Sequence, residues 1–154
     1  MSFIAIVRIF AIYLLAVIVA SLLGGVGQAQ VNLAAMPEAP VALAERLTAS
    51  GSVLIELLPV FALMVAAAFL VALPLAEGLS RIFRPWRWLL FALLGAGGIW
   101  VAQKAVTALL QSPVINMPAA GWQWAAVLLP VAVGSWLFGY LTRPRSKRGL
   151  RVLG

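Results

Sequence analysis

Four long apolar runs, residues 4–23, 53–79, 88–110 and 122–141, fill most of this 154-residue chain. Each is near or above the ~20 apolar residues a helix needs to cross a ~30 Å hydrocarbon core. The second run is apolar on every face, so no polar stripe remains to meet water. That pattern argues against a soluble helical bundle. Composition agrees: charged residues make up 10% of the chain, against roughly 25% in soluble domains. The expected fold class is all-α, an integral membrane four-helix transmembrane bundle over residues 1–142. A basic tail, residues 143–154, follows it.

The placement of charge sets an orientation. Lys and Arg near helix ends mark the cytoplasmic side. Arg8 lies near the N-terminus, and Arg81, Arg84 and Arg87 share one short loop. Arg143, Arg145, Lys147, Arg148 and Arg151 fill the tail, whereas the first outer connection carries only Arg46 and the third-to-fourth loop no basic residue. Both termini are then expected inside, with residues 28–52 and 113–121 on the outer side. Trp122 and Trp124 fall at the outer interface, and Trp86, Trp88, Trp136 and Tyr140 at the inner one, as aromatic belts do. The net charge of +7 is accounted for by these flanks, which argues against nucleic acid as a partner. Anionic lipid headgroups are the expected contacts of Arg143, Arg145, Lys147, Arg148 and Arg151. The Arg-rich, Ala-rich composition and the charge pattern point to a bacterial inner membrane.

The connections are short except for residues 28–52. Gly27-Gln28-Ala29 offers small residues where a signal peptidase would cut, but run 4–23 exceeds a typical signal h-region and reads as a retained helix. Residues 40–47 read either as a short interfacial helix in the first outer loop, with Pro40 near its first turn, or as a loop. The tight loop at 81–87 makes helices two and three an antiparallel hairpin. Gly95, Gly97 and Gly98, with Ala62, Ala66, Ala67 and Ala68, point to close packing in that hairpin or to a dimer seam. Pro59, Pro74 and Pro130 lie inside spans, where each removes a backbone donor and can kink its helix.

The chain holds no Asp, His or Cys. Thiolate and imidazole metal sites, haem-ligating His and Cys nucleophiles are therefore excluded, and no cofactor is expected. The conspicuous ionisable residues within the spans are Glu56 and Lys104. Counted from the hairpin turn, they sit at similar depth on neighbouring helices. A lone charge in hydrocarbon costs at least ~2.5 kcal/mol, so they either pair or snorkel separately to the headgroups. Thr107 and Gln111 follow Lys104 on the same face, and a Lys104–Thr107–Gln111 stripe facing Glu56 is the candidate polar patch. Glu77 and Arg81, at i and i+4, form a candidate surface ion pair.

Glu56-Leu57-Leu58-Pro59 resembles the Glu-x-x-Pro stretch of the MAPEG membrane enzymes, which are also four-helix proteins of about this length. The resemblance covers four residues. Val53 stands where that family has Asn, the nearest upstream basic residue is Arg46, and the charge rule puts this loop outside, contrary to that family. The family's glutathione chemistry is therefore not carried over. The leading expectation is a non-enzymatic accessory, scaffold or assembly subunit that packs against a partner membrane protein or itself. A channel or transporter subunit with Glu56 and Lys104 near an outer vestibule is the alternative. A lipid-modifying enzyme fits the residue inventory least.

Overall fold

A computed structural model describes residues 3–38, 42–109 and 116–143. Four α-helices dominate: α1 (Phe3–Ala34), α2 (Leu43–Ile82), α3 (Arg87–Leu109) and α4 (Gly121–Leu141). All four are long and apolar enough to cross a membrane. There is no strand among the described residues. α2 and α3 are joined by a single 3-10 turn, Arg84–Trp86, with Pro85 in its first positions. Proline suits that place because the first N–H groups of a helix have no internal partner. α1 packs on α2, α2 on α3, α3 on α4 and α4 on α1, so the helices form a closed ring of antiparallel neighbours.

α3 and α4 match the runs that predict them. α1 and α2 are longer than expected. α1 continues through residues 28–34, the start of the expected polar connection, because Gln28 and Asn32 turn inward and are satisfied inside the bundle. α2 begins at Leu43, so residues 43–47 are not a separate interfacial helix but the first turns of one continuous helix. Ser and Thr hydroxyls there bond carbonyls of their own helix: Thr48 to Glu45, Ser50 to Arg46 and Ser52 to Ala49. At ~1.5 Å per residue α2 is ~60 Å long. That exceeds even the ~40–45 Å of a bilayer with its headgroups, so its N-terminal turns extend past α3 and α4.

The packing is that of helices whose solvent is lipid. Large aliphatic side chains are found on the outside as well as in the core. Ile55, Leu63 and Leu70 are 75%, 73% and 68% exposed along one face of α2. Inside lie Phe61, Val65, Phe69, Phe91, Ile99, Val127 and Val131, all fully buried. Small residues set the helix separations, since close approach in lipid depends on them. Pro130 lacks the N–H that would bond the Ala126 carbonyl. α1 lies directly against that carbonyl at Gly27, where a Cβ would collide with it. Gly95 receives Ser135 of α4, whose hydroxyl donates to the Phe91 carbonyl at 2.8 Å. Gly98 meets Ala68 and Ala72, as hairpin packing requires, but Gly97 faces open space. The first half of α1 is the exception to this close packing: no residue of this helix before Ala16 is buried.

Candidate functional site

Two polar clusters occupy opposite ends of the bundle. At the end where α1 finishes and α4 begins, Gln28 and Gln103 are fully buried and Asn32 nearly so. Gln103 Nε2 donates to Gln28 Oε1 at 2.8 Å, joining α3 to α1. Gln28 Nε2 in turn donates to the Asn116 carbonyl at 2.8 Å and to Asn32 Oδ1 at 3.3 Å. The Asn116 amide donates to Asn32 Oδ1 at 3.2 Å, so the chain leading into α4 is held by two side chains of α1. Gln103 Oε1 is buried without a partner among the described residues. Nearby, Gln30 donates to Ser50 at 2.7 Å and ties α1 to the first turns of α2. These amides do not titrate. They form directed hydrogen bonds between helices and offer no acid or base.

At the other end Arg87, the first residue of α3, gathers three helices. Its guanidinium meets Glu77 of α2 at 2.7 Å, with side-chain exposures of 14% for Arg87 and 39% for Glu77. It also donates to Ser80 at 2.9 Å, to Thr142 at 3.3 Å and to the Gly139 carbonyl at 3.4 Å. The Phe91 ring lies 5.0 Å from its Cζ. Glu77 therefore pairs with Arg87 and not with Arg81. Arg81 has the i+4 spacing but stays exposed, whereas the rigid fork of Arg87 reaches the carboxylate and two hydroxyls together.

Of the two alternatives for Glu56 and Lys104, pairing or separate exposure, the described residues show the second. Both residues are exposed, and no salt bridge joins them. Lys104 turns toward α4, with its ammonium 5.9 Å from the Trp100 ring and 6.0 Å from the Trp124 ring. Those are cation–π distances. Thr107 bonds the Gln103 carbonyl of its own helix at 2.9 Å. Gln111, Arg145, Lys147, Arg148 and Arg151 lie outside the described residues. Arg143 is exposed, 5.3 Å from the Tyr140 ring. The residue that does carry the polar cluster on α3 is Gln103. Its signal in the sequence is a helical one: it lies ~100° round from Lys104, on the face that the apolar pattern turns inward.

No group of metal-ligating side chains occurs among the described residues. No protein-family model matches the chain, and no significant match is found among curated proteins or solved structures.

Proposed function

We propose that this chain is a non-enzymatic accessory or scaffold subunit of a bacterial inner membrane, with both termini cytoplasmic, packing against partner membrane helices. One observation carries the reading. The two polar clusters are separated by a packed, largely apolar middle in which Phe61, Val65, Phe69, Ile99 and Val131 are fully buried and Ser21 contributes a buried hydroxyl. Close packing of that middle favours a structural role over a channel. The buried amides and Arg87 instead brace helix against helix. The orientation is supported by the sharing of one end by Arg8, Arg81, Arg84, Arg87 and Arg143, the arrangement that the positive-inside rule assigns to the cytoplasm. The outward-facing Ile55, Leu63 and Leu70 offer lipid or a partner helix an apolar surface.

Affinity purification of the full chain from native membranes after mild cross-linking tests this. A partner membrane protein in fixed stoichiometry is the expected result. A chain recovered alone that conducts ions or solutes when reconstituted would overturn it.

A further inference from the structure

A groove of about 900 Å³ runs between the loosely packed first half of α1 and the inner halves of α2 and α4. Its walls are apolar: Ile9, Phe10 and Tyr13 on one side, Phe69, Leu70 and Leu73 on the other. The Tyr13 hydroxyl does not break this pattern, because it donates to the Ala66 carbonyl at 2.7 Å. Its rim carries Arg8, Arg81 and Arg143, together with Glu77, whose carboxylate is paired with Arg87. Of the four carboxylate residues in the chain, Glu38, Glu45 and Glu56 belong to the other end, and Glu77 is held by Arg87. Arg8, Arg81 and Arg143 have no salt-bridge partner among the described residues.

Length and charge pattern select the occupant. From Phe69 to Arg81 the groove follows α2 for ~18 Å, close to the ~15 Å of hydrocarbon in one leaflet. The groove is apolar along its length and carries Arg8, Arg81 and Arg143 at one end, where the carboxylate of Glu77 is already paired with Arg87; this is the complement of an amphiphile with a negative head.

We propose that this groove seats one anionic phospholipid, its acyl chain against Phe69–Leu73 and its phosphate at Arg8, Arg81 and Arg143. Guanidinium groups bind phosphate oxygens bidentately, which an ammonium cannot do. The site is distinct from general attraction of the basic tail to a charged surface. It requires only that the chain lie in a bilayer and does not depend on the accessory reading.

The test uses the full chain in mild detergent with an equimolar mixture of phosphatidylglycerol and phosphatidylcholine of matched chains, read by native mass spectrometry. One retained phosphatidylglycerol is expected, preferred by about ten-fold or more. Arg8→Gln with Arg81→Gln should abolish the preference while circular dichroism shows unchanged helicity. Neutralising Arg145, Lys147 and Arg148 should leave it intact. Phosphatidylglycerol carrying a photoreactive acyl chain should cross-link to residues 4–13 and 69–74 of the unmodified protein. Equal retention of the two lipids would overturn the proposal. So would cross-links elsewhere, or a preference lost with the tail charges and kept without Arg8 and Arg81.

Discussion

Gly27→Ala tests the packing of α1 on α4 with a single methyl group. The added Cβ would overlap the Ala126 carbonyl, a backbone atom that cannot rotate aside. The helices must part until the contact reaches the ~3.3 Å of an ordinary C···O approach. Overpacking of this kind costs ~1–3 kcal/mol. Alanine recovers ~0.5–1 kcal/mol of helix propensity over glycine, which leaves a net loss of up to about 2.5 kcal/mol. Gly97→Ala is the control, because nothing lies within 4 Å of the place its new methyl would take and only the propensity gain applies. For a chain of this length each kcal/mol moves the Tm by roughly 2–4 °C. Thermal unfolding in one detergent, followed by circular dichroism, should show Gly27→Ala falling by a few degrees and Gly97→Ala holding level or rising. Equal stability of the Gly27 variant, or an equal loss in both, would refute the assigned helix contact.

Arg87→Gln should lower stability by ~1.5–3 kcal/mol, the range for hydrogen bonds to charged groups, and Arg87→Lys should recover less than half. Arg84→Gln, at an exposed position, should change little; thermal unfolding of the three variants checks the ranking. Glu56→Gln and Lys104→Gln should add within ~0.5 kcal/mol in a double-mutant cycle, as unpaired sites do. Coupling beyond that would mean they meet. A fluorescent protein fused at Gly154 should mature only if that end is cytoplasmic, and a dark fusion together with an active periplasmic reporter there would reverse the orientation.

How far the sequence reaches differs from helix to helix. Runs 88–110 and 122–141 anticipate α3 and α4 to within a residue at each end. Both are bounded by physical breaks: Pro85 before α3, and Pro118 and Gly121 around the start of α4. α1 and α2 overrun their hydropathy windows because hydropathy scores a side chain, not the direction it faces. Gln28 and Asn32, at i and i+4, share one helix face and continue the inward line of Ala16, Ala20 and Gly24. That periodicity is present in the sequence, but the partner that makes buried amides tolerable, the Asn116 backbone, lies 84 residues from Asn32. The same limit explains Glu56 and Lys104. Residue counting sets depth along a span, and depth alone puts them level. Rotation about each helix axis decides contact, and it turns Lys104 to the indoles of Trp100 and Trp124. Glu77 shows a local i+4 partner losing to a distant one that brings more hydrogen bonds.

The central claim is that the polar side chains buried in this bundle hold helices together and do not serve a solute. A double-mutant cycle on Gln28→Leu and Gln103→Leu measures it most directly, since their 2.8 Å hydrogen bond joins α1 to α3 across the ring. Interhelical hydrogen bonds in membranes average ~0.6 kcal/mol with a maximum of ~1.7 kcal/mol. Each single variant should destabilise, and the double variant should lose less than their sum by a coupling of that size. Additive losses, or single variants as stable as the parent, would contradict the claim and leave the buried amides without a structural role.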